Sequence, residues 1–92
     1  MTTRYRNKPI VVEAEQYDRS NADAIAEWCG GVRHVVEMAT NTHLDNPEWI
    51  EIPTVEGVMR AAPGDWIIKS TEGEFYRCKP SRFATTFEPA ND

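Results

Sequence analysis

The 92 residues include ten Lys and Arg against fifteen Asp and Glu, a net charge of −5. That length predicts one domain, 1–92, with a single core and little room for an enclosed active-site cavity. A content of 40% hydrophobic and 27% charged residues excludes a disordered chain, and the acidity argues against stable nucleic-acid binding.

No apolar run reaches the roughly 18 residues of a membrane span, so no membrane partner is expected. The opening MTTRYRNKP lacks the apolar stretch of a signal peptide, which predicts a cytoplasmic setting with Cys29 and Cys78 as free thiols.

In chain order, Lys8-Pro9 opens an extended segment, and Ile10–Tyr17 reads as a strand with Ile10, Val12, Ala14 and Gln16 on one face. Asn21, or Ser20, is placed to cap a short helix over about 21–29. That helix carries Ala22, Ile25, Ala26, Trp28 and Cys29 at helical spacing and stops at Gly30-Gly31. Val32–Met38 predicts a second strand, and 39–47 is polar and loop-like. Trp49–Ile52 and Val58–Ala61 flank a turn at Pro53–Gly57. Pro63-Gly64-Asp65 has the composition of a type II turn. Trp66–Lys69 and Glu74–Cys78 form the next hairpin. Lys79–Phe83 reads as a single helical turn, Ala84–Glu88 as a last strand and 89–92 as a frayed tail. The expected class is α+β: a curled antiparallel sheet with one short helix packed on it.

The net charge hides a division. Residues 1–8 carry +3, residues 9–59 carry −8, and residues 60–82 carry +2. A local positive patch on an acidic chain attracts small anions without attracting nucleic acid in general. Catalytic signatures are missing: no G-x-S-x-G, no P-loop, no H-E-x-x-H. The pair Glu13 and Glu15 reads as a solvated strand face, and Cys78, between Arg77 and Lys79, as a buried structural thiol. The spacings among Cys29, His34, His43 and Cys78 match no zinc pattern, so neither metal nor cofactor is expected, and the chain reads as a non-enzyme.

The basic residues Arg6, Lys8, Lys69, Arg77 and Lys79 lie in segments that also carry Trp66 and Tyr76. Flat rings stack bases, and Lys and Arg pair with phosphates. By alternation one face of the Trp66–Cys78 hairpin shows aromatic and basic groups together. The residues alone leave open whether Trp66 and Tyr76 belong to the core or to a ligand platform.

The motifs Tyr5-Arg6-Asn7-Lys8-Pro9-Ile10-Val11-Val12-Glu13-Ala14, Pro63-Gly64-Asp65-Trp66-Ile67-Ile68-Lys69 and Gly73-Glu74-Phe75-Tyr76-Arg77-Cys78-Lys79-Pro80 resemble a widespread group of small phage and prophage proteins. Proteins of that kind include sponges that sequester cyclic nucleotide signals of bacterial defence systems such as CBASS or Thoeris. The resemblance implies a homo-oligomeric anti-defence protein of the host cytoplasm that binds a cyclic nucleotide without turnover. Arg6, Lys8, Trp66, Lys69, Tyr76, Arg77 and Lys79 would be its ligand-binding residues. The alternative is a protein-interaction module, with Glu48-Trp49-Ile50-Glu51 as an exposed acidic–aromatic edge.

Overall fold

The computed structural model describes residues 11–36 and 46–89. Arg6, Lys8, Ile10, Met38 and most of the 39–47 loop lie outside the described residues.

The class is α+β. Among the described residues, six antiparallel strands divide between two three-stranded sheets, accompanied by two helices. Strand β1 (Glu13–Gln16) pairs with β5 (Trp66–Lys69), which pairs with β6 (Phe75–Cys78), making the first sheet. The second sheet joins β2 (Val32–Val35), β3 (Glu48–Thr54) and β4 (Gly57–Ala61) in that order. Among the described residues no helix is long and apolar enough to cross a membrane.

Helix α1 (Ala22–Cys29) follows a 3-10 turn over Arg19–Asn21. Asn21 holds the N-cap position of α1, as expected, but makes no side-chain cap bond there; the capping carboxylate is Asp18, one turn earlier at the start of the 3-10 turn. Its carboxylate accepts from the Ser20 and Asn21 amides, while the Asn21 side chain turns back to accept from the Asp18 amide. This reciprocal box satisfies donors that a helix start leaves open. The helix ends as expected at Gly30, which takes φ 68°, a left-handed conformation that glycine adopts without steric cost.

Apolar spacing on α1 buries Ala22, Ile25 and Cys29 between the sheets, with Ala26 and Trp28 half-buried beside them. They meet Ile50, Ile52 and Ala61 of the second sheet, Ile67 of the first, and Tyr17 just after β1. The turn Ala62–Asp65 docks β1 onto this core. The Asp65 amide donates to Ala62 O (3.0 Å), Gly64 takes φ 100°, and the Gly64 amide donates to Tyr17 O (2.7 Å).

Where a strand was expected over Ala84–Glu88, Ala84–Thr86 are instead helical, the end of α2 (Pro80–Thr86), and only from Phe87 does the backbone become extended. Pro80 stands in the first helical turn, where its fixed φ and missing N–H cost nothing. Phe83 and Phe87 then fall four apart on one side, their rings 5.1 Å apart, and Phe83 packs on Trp66. An aromatic pair at helical spacing with a ring waiting beneath it outweighs the β preference of Thr85 and Thr86.

Candidate functional site

The β5–β6 hairpin carries four of the ligand-binding candidates, Trp66, Lys69, Tyr76 and Arg77. Its register pairs Trp66 with Cys78, Ile67 with Arg77, Ile68 with Tyr76 and Lys69 with Phe75. Directly opposed residues share a face, so Trp66, Ile68, Tyr76 and Cys78 lie on one side and Ile67, Lys69, Phe75 and Arg77 on the other. The aromatic–basic face therefore exists, but its ring is Phe75. Trp66 and Tyr76 stand on the opposite face from Lys69 and Arg77.

On the face that carries Ile67, Lys69 Nζ lies 5.9 Å from the Phe75 ring centroid, and Phe75 meets the edge of Trp28 at 5.1 Å with planes at 82°. Lys69 holds Glu13 only loosely, at 3.9 Å. Arg77 sits diagonally from Lys69, about 7–8 Å away by sheet geometry. Its guanidinium forms no ion pair among the described residues, and its Nε is buried without a hydrogen-bond partner there. Only its backbone amide is engaged, on Met59 Sδ at 3.2 Å. A half-buried cation lacking a counter-charge is an unsatisfied cost in the free protein.

Lys69 also borders an open groove of about 490 Å³, lined by Val11–Glu13 and by the turn Ser70–Gly73. That volume falls within the roughly 300–1,000 Å³ of small-molecule sites. Ser70 Oγ accepts from the Glu72 and Glu74 amides, which fixes the turn. Glu13 and Glu72 add negative charge to the groove wall.

Of the remaining predicted residues, Trp66 and Lys79 have protein partners. Trp66 stacks on Phe83 at 3.9 Å with planes 3° apart, so one of its faces is covered. Tyr76 is exposed at the surface of its sheet, and its phenol is raised by burial and by the neighbouring Cys78. Lys79 pairs at 3.2 Å with the buried Asp65, whose carboxylate also accepts from the Ala62 amide. Arg6 and Lys8 lie outside the described residues.

Two clusters escaped the sequence reading. The first surrounds Glu48, whose side chain is 3% exposed. It accepts from the Tyr17 hydroxyl (2.5 Å), Arg33 Nε (3.2 Å) and Nη2 (3.3 Å), and Arg19 Nη1 (3.3 Å). Burial alone would raise the Glu48 carboxyl, but the Tyr17 bond and the two guanidiniums outweigh it and hold it below its ordinary range. Burial, then the bond to Glu48, pushes the Tyr17 phenol far up. The second cluster is on the outer face of the second sheet, where Trp49 stacks on His34 (5.3 Å), Arg60 lies over the Trp49 ring (5.0 Å), and His34 pairs with Glu51. The stretch Glu48–Glu51 is thus not one exposed edge. Glu48 and Ile50 face inward and are buried, and only Trp49 and Glu51 face outward.

Searches against protein-family models, curated proteins and solved structures return no match to this chain. Its class is that of a small α+β domain with two antiparallel sheets.

Proposed function

We propose that this chain is a non-catalytic binding protein that sequesters a small anionic nucleotide, a cyclic nucleotide signal of a bacterial host, in the host cytoplasm. The observation that carries the reading is Arg77. A half-buried guanidinium that meets no carboxylate among the described residues, on the same sheet face as Lys69 and Phe75, is suited to pair with an anionic ligand. Phosphate oxygens would pair with Arg77 and Lys69, a base would pack at Phe75, and the groove beyond Lys69 would take the rest of the ligand. Tight sequestration at about 10 nM corresponds to roughly −11 kcal/mol, within reach of two ion-paired phosphates and a stacked base in a dry site.

The motifs that resemble small phage proteins include both Lys69 and Arg77, which supports the nucleotide-sponge reading over a protein-interaction module. Calorimetric titration with cyclic di- and trinucleotides and cyclic ADP-ribose isomers tests it. One of these should bind, and both Arg77→Ala and Lys69→Ala should weaken it at least tenfold. No binding to any member would sink the reading.

A further inference from the structure

The open edge of β2 fits a second copy of the same strand, and we infer that the chain self-associates there as an antiparallel β2–β2 pair. Among the described residues there are four sheet edges. β1 carries exposed Glu13 and Glu15, which would meet like charges in any self-pairing. β4 and β6 pack toward one another, with the Arg77 amide on Met59 Sδ. β2 differs: Val32, Val35 and the following Val36 are all exposed, at 56%, 41% and 43%. It has no Lys or Pro, and its charged residue, Arg33, is turned inward to Glu48 and Asp23.

The backbone defines which groups are free. Val36 N–H donates to Pro47 O, and the β2–β3 register pairs Val32 with Glu51 and His34 with Trp49. In an antiparallel ladder alternate residues point to the partner strand, so Val32, His34 and Val36 bond toward β3. Arg33 and Val35 therefore direct their N–H and C=O groups outward.

A two-fold pairing must keep each side chain on its own sheet face, so the axis lies midway between one residue and its own copy on the partner strand. Centring on Arg33 would oppose two arginines. Centring on His34 pairs Arg33 with the partner's Val35 through both backbone groups, twice, which gives four hydrogen bonds. The same register sets Val32 against the partner's Val36 on the outer face, also twice. Every outward group of Arg33 and Val35 is then used, and the exposed valines are covered. The two second sheets become one six-stranded sheet.

Analytical ultracentrifugation over a concentration series tests this, and its outcome does not depend on what the Arg77 face binds. The wild-type chain should approach twice the monomer mass as concentration rises. Val32→Lys and Val36→Lys alter exposed positions, so each should fold, as checked by circular dichroism, and should weaken association at least tenfold. A double variant, Val32→Cys with Val36→Cys, should form an interchain disulfide between positions 32 and 36, identified by peptide mass. Four positions along one strand span about 13 Å, too far for an intrachain bond. A wild-type chain that stays monomeric, or a dimer unaffected by Val36→Lys, would overturn the inference.

Discussion

The Tyr17 hydroxyl donates to the Glu48 carboxylate at 2.5 Å across 31 positions of sequence, joining the end of β1 to the start of β3. With Arg33 from β2 and Arg19 from the 3-10 turn, this contact ties both sheets and the entry to α1 to one buried charge. Removing the hydroxyl in Tyr17→Phe leaves an acceptor partly unmet and should cost about 1–3 kcal/mol in urea denaturation. Glu48→Gln should cost about 2–3 kcal/mol. Breaking a buried pair typically costs about 3–5 kcal/mol, but Arg19 and Arg33 remain about one-third exposed and regain some hydration.

The same cluster sets the pH limits of stability. The folded Glu48 carboxyl lies below its ordinary 4.5, so its contribution is present above that pH and is lost as pH falls through the folded value. The exposed Asp18 shifts in the same direction, mainly through its bond to Ser20. Tyr17 has the opposite sign. Its folded pKa is raised above 10.0, so its contribution is complete below pH 10 and is lost as pH rises through the folded value. Melting temperature should therefore fall in acid for wild type and less steeply for Glu48→Gln. The alkaline fall above pH 10 should shrink in Tyr17→Phe.

Gly31 leaves no room for a side chain. A Cβ there would stand 2.6 Å from the backbone O of Glu51 and 3.0 Å from Cys29 Sγ. Gly31→Ala must push α1 away from β3 and should cost about 1–3 kcal/mol in chemical denaturation, as overpacking does. Gly30→Ala meets no atoms, and only its left-handed φ opposes the change, so about 1–2 kcal/mol is expected.

Phe83 holds α2 through its stack on Trp66. Phe83→Ala removes that ring contact, worth about 0.5–1.5 kcal/mol beyond the apolar area. Amide exchange of Pro80–Thr86 should accelerate sharply, while the amides of β3 keep their protection. Uniform acceleration across the chain would show that α2 is integral to the core.

How much of this was legible in the sequence varies with range. Pro63-Gly64 announced its turn and Gly30 its helix end, because those residues act through their own backbone. Alternation gave the two faces of β5 and of β6 separately. It did not give the register across Ser70–Gly73, which decides that Lys69 opposes Phe75 and Trp66 opposes Cys78. The register places Phe75 on the face of Lys69 and Arg77, and Trp66 and Tyr76 on the other, a pairing that alternation within each strand left open. Glu48 looked exposed because its partners Tyr17, Arg19 and Arg33 are 15 to 31 positions away. The helical end of the chain depends on Trp66, which no local pattern in Ala84–Glu88 reports.

Arg77 separates a binding role from a structural one. A guanidinium with no ion pair among the described residues contributes little to the free fold, so Arg77→Met, which keeps length and apolar packing, should leave the melting temperature unchanged or raise it. The same change should abolish the nucleotide-dependent rise in melting temperature that the proposed binding predicts for wild type. A variant that loses stability to the same extent as Tyr17→Phe would mark Arg77 as a scaffold residue.

The central claim, binding without turnover, is tested most directly by recovering the ligand. The protein is saturated with the cyclic nucleotide that calorimetry identifies, held at 37 °C, freed of excess, and heat-denatured, and the released molecule is weighed by mass spectrometry. Sequestration predicts a stoichiometric yield of nucleotide with unchanged mass and intact cyclic linkages. A linear or hydrolysed product, or no released nucleotide, would contradict it.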